Sequence, residues 1–269
     1  MNTSLLLPRH FFVVLLAGLG LGLGLSAAGA GTVISESFQF GPEVAHRAEV
    51  KVGDGFESGP AQEGEGEWEV SSIGKAKGKS FEYLEGGGIR FVQHQDRGNA
   101  SFRTTLPSEA DGKALEAVVE FIPGTLWGKE DRSGIKGLWI GFVDKDDARG
   151  LLANIDRANL VYVRLSVFGT DGRARLVLSP DLHRATKPAK SKVFQIDPTA
   201  LHRLVLRVDP AAGTAGATLE DAEGGPIAEL ADDAPQVSGF SSFRVDLTSL
   251  VNDEHGMPPM LKKVVITAD

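Results

Sequence analysis

The chain has 269 residues, 36 acidic against 28 basic side chains for a formal charge of −8, and no cysteine. Such an acidic balance argues against nucleic acid and anionic membranes as partners, since both demand dense Lys/Arg surfaces. Without thiols there are no disulfides and no lipid-modified cysteine, so the fold must hold itself by burying a core.

Residues 1–30 read differently from the rest. Met1 to His10 carries Arg9 and no acid, Phe11 to Leu25 is an apolar run, and Ala28-Gly29-Ala30 offers the small-x-small pattern of a signal peptidase site. That order is the order of a secretory signal peptide. An uncleaved anchor is the alternative, because the run approaches spanning length, but Gly18, Gly20, Gly22 and Gly24 weaken such a helix by about 1 kcal/mol each relative to Ala. The sequence therefore predicts a leader over residues 1–30, a secreted, periplasmic or extracellular address, and no membrane insertion once the leader is removed. Residues 31–269 fall within the size range of one large β domain.

Past the leader, apolar residues alternate in short blocks separated by Gly, Pro, Asp and Asn, the pattern of half-buried antiparallel strands. In IRFVQHQ, Ile89, Phe91 and Gln93 share one face and Arg90, Val92 and His94 the other. LEAVVEFI sets Leu115, Ala117, Val119 and Phe121 against Glu116, Val118, Glu120 and Ile122. GLWIGFV groups Leu138, Ile140 and Phe142 and leaves Trp139 and Val143 on the reverse. LVYVRLSVF turns Val161, Val163, Leu165 and Val167 inward, with Tyr162, Arg164 and Ser166 outward.

The segment Asp147 to Asn159 holds one short helix or an irregular loop, and the basic stretch RATKPAKSK, Arg184 to Lys192, reads as a solvated loop. HRLVLRVDPAAGTAGATLEDAEGGPIAEL, residues 202–230, predicts a three-strand meander turning at Asp209–Gly213 and at Glu223–Pro226, where Pro fixes φ and Gly permits positive φ. Further strands are expected at Phe243–Leu247 and Lys263–Thr267. About a dozen such strands, each with one apolar face to cover, imply an all-β fold of two packed antiparallel sheets.

The succession of LHRLVLRVDPAAGTAGATLEDAEGGPIAEL, SSFRVDLTSL and LKKVVITAD resembles the second half of concanavalin A-like lectin/glucanase (LamG-type) jelly rolls. SESFQFGP and GLWIGFVDKDD resemble the opening and central strands of that superfamily. The resemblance implies a two-sheet jelly-roll sandwich with one concave sheet, on which family members commonly bind glycans. It implies no activity by itself.

Several chemistries find no support in the residues. Glucanases of the superfamily carry E-x-D-x-x-E or E-x-D-x-E on one strand, a pattern absent here. Retaining hydrolysis needs carboxyls about 5 Å apart, whereas Glu116 and Glu120 share a face about 13–14 Å apart along a strand, at ~3.4 Å per residue. They read as a solvent-facing sheet edge. GKAKGKS lacks the spacing of a phosphate loop, and neither G-x-S-x-G nor H-E-x-x-H occurs.

Lyases on similar jelly rolls place a Tyr or His base near Arg, Gln and His, and here Arg90, Gln93, His94, Gln95 and Arg97 cluster while Tyr162 and Arg164 share a face. A calcium ion needs several oxygens in one loop. Asp144, Asp146 and Asp147 offer three, as do Asp253, Glu254 and His255 on a smaller scale, but the chain requires no cofactor.

Sugar binding asks for less, namely an aromatic ring for the apolar face of a pyranose and a few polar groups around it. The candidate ligand-binding residues are therefore Arg90, His94, Trp127, Trp139, Tyr162 and Arg164. The expected protein is a secreted, monomeric, lectin-like module for a polysaccharide or glycan, with no catalytic residue and no metal. Its alternatives are a polysaccharide lyase or glycoside hydrolase on the same fold, and a structural or adhesion protein of the cell envelope.

Overall fold

The computed structural model describes residues 31–73, 80–92, 99–125, 137–144, 160–168, 171–181, 189–234, 238–248 and 256–269. Residues 1–30, the segment Asp147 to Asn159, His94 and Trp127 lie outside the described residues. No helix among them is long and apolar enough to cross a membrane.

Seventeen strands occur among the described residues. They are β1 (Gly31–Glu36), β2 (Gly59–Pro60), β3 (Glu63–Gly64), β4 (Glu67–Ile73), β5 (Phe81–Tyr83), β6 (Ile89–Phe91), β7 (Asn99–Thr105), β8 (Leu115–Ile122) and β9 (Gly137–Val143) in the first half. The second half adds β10 (Leu160–Phe168), β11 (Arg173–Asp181), β12 (Lys190–Gln195), β13 (His202–Asp209), β14 (Thr214–Glu220), β15 (Pro226–Asp233), β16 (Ser242–Thr248) and β17 (Met260–Ala268).

Two sheets result. A nine-stranded sheet runs β15-β14-β13-β8-β17-β1-β3, with the β5–β6 hairpin joined to it through β6 and β17, and an eight-stranded sheet runs β12-β11-β10-β9-β16-β7-β4-β2. In the first half the chain passes back and forth between the sheets almost strand by strand, whereas β9 to β12 and β13 to β15 each stay within one sheet; β16 and β17 are then inserted between earlier strands. The predicted meander is β13-β14-β15, with Leu206 opposite Ala217 and Ala217 opposite Leu230.

Alternation decides the core. Leu138, Ile140 and Phe142 of β9, Val161, Val163, Leu165 and Val167 of β10 and Phe243, Val245 and Leu247 of β16 meet Ala117, Val119, Phe121, Leu204, Leu206, Val264 and Ile266 from the facing sheet. At one end the core turns aromatic. Phe102 on β7 receives the edges of Trp68, Phe81, Phe56 and Phe38 at centroid distances of 5.1, 5.6, 5.9 and 6.0 Å, the geometry that ring quadrupoles favour.

Glu36, the last residue of β1, is fully buried and grips Arg47 with two 2.7 Å hydrogen bonds. Its Oε1 also accepts the backbone N–H of Phe38 at 2.6 Å. Phe38 has φ of 52°, a left-handed conformation unusual for a bulky residue, so this bond helps to pin the turn leaving β1. The Arg47 guanidinium lies 5.5 Å from the Phe56 centroid and 5.8 Å from that of Tyr83. Burial alone would lower its pKa, but the hydrogen bonds and charge of Glu36 hold it above the ordinary value.

Two readings of the sequence are corrected. Glu116 and Glu120 lie on β8, an interior strand between β13 and β17, and not on a sheet edge. They pair across it with Arg207 at 2.5 Å and with Arg203 at 3.8 Å, a ladder on the solvent side. The end of the basic stretch is also not a loop. Lys190 and Lys192 belong to the edge strand β12, where Lys190 Nζ donates to the Ala231 carbonyl of β15 at 2.6 Å and ties the edges of the two sheets together.

Two measurements follow. Glu36→Gln leaves a buried guanidinium without its counter-ion, so urea unfolding should show a loss of about 3–5 kcal/mol, whereas Glu36→Gln with Arg47→Met should lose markedly less. Tyr83 is one of two tyrosines, and burial first of all pushes its phenol up to about 12. The unfolded chain releases that proton near pH ~10 while the native state keeps it, so this group's stabilisation is complete below pH ~10 and declines as pH rises toward about 12. Absorbance at the tyrosinate band should show a step near that upper value that Tyr83→Phe removes.

Candidate functional site on the outer face of the eight-stranded sheet

The side chains of β9, β10 and β16 that do not enter the core build a second, polar layer on the other face. Antiparallel register sorts them into rows. Val177, Arg164, Trp139, Asp246 and Ser101 form one row across β11, β10, β9, β16 and β7. Ser179, Tyr162, Gly141, Arg244, Arg103 and Glu69 form the next, extended to β4. Gly141 brings no side chain to the position between Tyr162 and Arg244. Ser166 stands opposite Arg175, and Thr248 opposite Gly137.

At the middle of these rows stands Trp139, with only 1% of its surface exposed. Together with Val143, Leu160 and Tyr162 it forms a small apolar cluster separate from the main core. The Tyr162 ring lies against it at 4.9 Å between centroids and 36° between planes. Arg164 places its guanidinium carbon 5.0 Å from the indole centroid, a cation–π contact. The indole Nε1–H donates to Thr248 Oγ1 at 3.0 Å, and that hydroxyl donates in turn to the Gly137 carbonyl at 3.3 Å.

Gly137 starts β9 at φ of 151°, and a Cβ there would sit 2.5 Å from the Leu165 carbonyl oxygen, so the close approach of β9 to β10 that seats Trp139 requires glycine. The charged members of the layer are buried too. Arg244 is fully buried and Asp246 1% exposed, on adjacent rows of β16. Burial of this kind is costly unless the charges are paired and hydrogen-bonded. At the rim, Arg103 holds Glu69 through Nε at 2.9 Å and Nη2 at 2.6 Å.

Of the six residues that the sequence singles out, the structure brings three together, Trp139, Tyr162 and Arg164. Arg90 is not among them. It projects from β6 on the solvent side of the nine-stranded sheet, paired with Glu82 on β5, and the thickness of the sandwich separates it from the other three. His94 and Trp127 lie outside the described residues, as do Asp146, Asp147, Asp253, Glu254 and His255 of the calcium candidates. Among the described residues no group of three or more His, Asp or Glu side chains could hold a metal ion.

Trp139 differs in kind from the expected stacking platform. Tyr162 and Arg164 already occupy its surroundings, and a ring 1% exposed has no face left for a pyranose, so it acts as the pillar that sets the other two. Sequence reasoning missed Arg244, Asp246, Thr248 and Arg175. The alternation in SFRVDLT carries the signal for the first three, since Phe243, Val245 and Leu247 inward put Arg244, Asp246 and Thr248 outward.

No protein-family model and no curated protein matches the sequence. Solved structures do. The CBM2 module of the evolved Dit protein of Lactobacillus casei BL23 phage J-1 superposes with a TM-score of 0.53 at 10% identity, covering 88% of this chain and 95% of the module. The winged bean acidic lectin complexed with methyl-α-D-galactose gives 0.48 at 11% identity over 74% of this chain and 99% of the lectin. Peanut lectin gives 0.47 at 11% over 74% and 91%. The fold is a concanavalin A-like jelly-roll sandwich. Within that jelly roll the polar layer occupies the outer face of one sheet, away from the strand edges.

Thr248→Val keeps the shape of the side chain and removes the acceptor of the Trp139 indole. A buried N–H is then left without its partner, and denaturant unfolding should report a loss of about 1–3 kcal/mol. The near-ultraviolet circular dichroism of the Trp139–Tyr162 pair should change with it.

Proposed function

We infer that this protein is a secreted glycan-binding module that receives its ligand on the outer face of the eight-stranded sheet and performs no chemistry on it. One observation carries the reading, the gathering of Tyr162, Trp139 and Arg164 with Arg244, Asp246 and Arg103 on adjacent rows of a face that the core does not need. A pyranose presents a ring of hydroxyls that the partly exposed guanidinium forks of Arg164 and Arg103 suit as donors, while the buried Trp139, Tyr162, Arg244 and Asp246 hold that face in place. The similarity to a module named as carbohydrate-binding supports the same reading at the level of the fold.

The carboxylates support binding without hydrolysis. Asp246 and Glu69 are on this face, but they stand on β16 and β4, two strands apart with β7 between, and in different rows. Two strand spacings of ~4.8 Å already exceed the ~5 Å separation that retaining chemistry uses. Asp246 is buried while Glu69 is exposed and engaged by Arg103, so these two carboxyls do not flank a common space.

A second reading has an observation of its own. Tyr162, Arg244, Asp246 and Thr248 are each no more than 8% exposed, which fits an envelope protein whose sheet face is filled and takes no small ligand. A panel of insoluble polysaccharides separates the readings. A binding module is retained on at least one glycan and generates neither new reducing ends nor the absorbance of unsaturated sugars, and Tyr162→Ala weakens retention at least tenfold. Product formation would reject the reading in favour of a lyase or hydrolase, and absence of retention on every glycan would leave the envelope protein.

A further inference from the structure

Arg164 stands out among the charged groups of the polar layer. Its neighbours across the strands are Val177 on β11 and Trp139 on β9, and the flanking positions on its own face of β10 are Tyr162 and Ser166. It forms no ion pair among the described residues, and its Nε, shielded from solvent, has no hydrogen-bond partner. The carboxylate sharing its row, Asp246, is two strands away with the Trp139 indole between them.

Its charged neighbour is instead another cation. Arg175 projects from β11 on the same face, opposite Ser166 and therefore diagonal to Arg164, with its guanidinium carbon 5.8 Å from the Phe168 centroid. Burial holds the Arg164 guanidinium below its usual value; Tyr162 opposes that, and the charge of Arg175 adds to it. Arg103 and Arg244 lie on the same face of the sheet. A chain with a formal charge of −8 thus assembles five arginines on one face among the described residues, Arg103, Arg164, Arg173, Arg175 and Arg244, with Arg103 and Arg244 directly opposite each other.

Like charges placed as Arg164 and Arg175 are, the first half-buried, are stabilised most by an anion that reaches both. The Arg fork presents parallel N–H donors that match a planar or tetrahedral oxyanion, and the indole contact at 5.0 Å fixes the plane of that fork in advance. We propose that the outer face of the eight-stranded sheet selects an anionic polysaccharide, with the acidic group of one sugar, a uronate carboxylate or a sulfate ester, docking on the guanidinium of Arg164 beside Arg175. The proposal rests on the reading of this face as a glycan site and names its substrate class.

Affinity electrophoresis and calorimetry with the full-length mature protein test this. The probes are polygalacturonate and alginate for carboxylates, carrageenan for sulfate, and highly methyl-esterified pectin, laminarin and galactomannan as uncharged chains. The expected result is binding to one anionic class at least tenfold tighter than to any neutral chain, with carboxylate and sulfate arms distinguishing the two sources of the charge.

Esterification of the uronate should abolish binding if the carboxylate is the group held. Raising ionic strength from about 0.15 M to about 1 M cuts the screening length from ~8 to ~3 Å and should weaken the wild-type complex severalfold. Arg164→Met should remove the preference for the charged chain, whereas Arg207→Gln, which deletes the same charge from the other sheet, should preserve it. Because the salt and esterification measurements use the unmodified protein, they decide the matter even if a variant fails to fold.

Equal or tighter binding to neutral chains would overturn the anionic selection and leave the glycan site standing. Equal losses in Arg164→Met and Arg207→Gln would overturn the assignment to this face. No binding to any of the chains would overturn the proposal together with the glycan reading.

Discussion

Strands β9, β10 and β16 run through the middle of the eight-stranded sheet, and β16 is buried at every one of its seven residues. A strand buried on both faces must satisfy two environments with alternate side chains. Here the two faces are solved differently. Phe243, Val245 and Leu247 enter a dry aliphatic core, while Ser242, Arg244, Asp246 and Thr248 enter a layer of hydroxyls, guanidinium and carboxylate. The dry face sets the register, because a slip of one residue would exchange the two sets and place Arg244 and Asp246 in the core. The polar face inherits that register, and with it the alignment of Tyr162 and Arg164 around Trp139. Any function on this face is therefore held in place by packing on the opposite one.

With no disulfide to constrain the ends, the outlying segments need other anchors. The first strand leads into a turn at Phe38 with positive φ, and the bidentate Glu36–Arg47 pair clamps that turn against the aromatic end of the core. A buried ion pair of this geometry contributes less net stability than its short distances suggest, since both charges must be desolvated. What it supplies is definition: a single arrangement satisfies the carboxylate, the Phe38 amide and the guanidinium together. At the other end, Lys190 bridges the two sheet edges, and a lysine on an edge strand also discourages pairing with another chain.

The sequence made the architecture legible where alternation was clean. The faces of β8, β9, β10 and β13 were all readable from single-residue periodicity, and the meander β13-β14-β15 from its two turns. The short strands β2 and β3, two residues each, have no period to detect and exist because neighbouring strands offer them partners. Whether β8 lies at an edge or inside a sheet is a matter of strand order, fixed by β17 returning from the far end of the chain, so no local pattern around Glu116 could reveal it.

For the site, the pattern correctly put Trp139, Tyr162 and Arg164 outward on their strands. It could not tell that outward meant buried, nor that β16 would lie between β9 and β7 and bring Arg244 and Asp246 beside them. Arg90 shows the limit from the other side. Its alternation was read correctly, Ile89 and Phe91 in and Arg90 out, yet out from β6 is the solvent face of the other sheet. Periodicity assigns a side chain to a face; only topology says which face belongs to which sheet.

The two solvent-side layers of the sandwich also differ in how they treat charge. On the nine-stranded sheet Arg203 meets Glu120 and Glu220 across the strands and Arg207 meets Glu116, so each cation of the ladder has a carboxylate beside it. On the eight-stranded sheet Arg164 is set against an aromatic ring and a second arginine instead. A surface under no constraint but solubility would resemble the first arrangement, because exposed ion pairs cost little to form and contribute little. The second arrangement lowers the stability of the free protein by keeping a half-buried cation beside a like charge. The contact with the Trp139 ring offsets part of that cost, and an anion bound beside Arg164 would offset more; this asymmetry between the sheets is the physical ground for proposing recognition on one face of the sandwich and scaffold on the other.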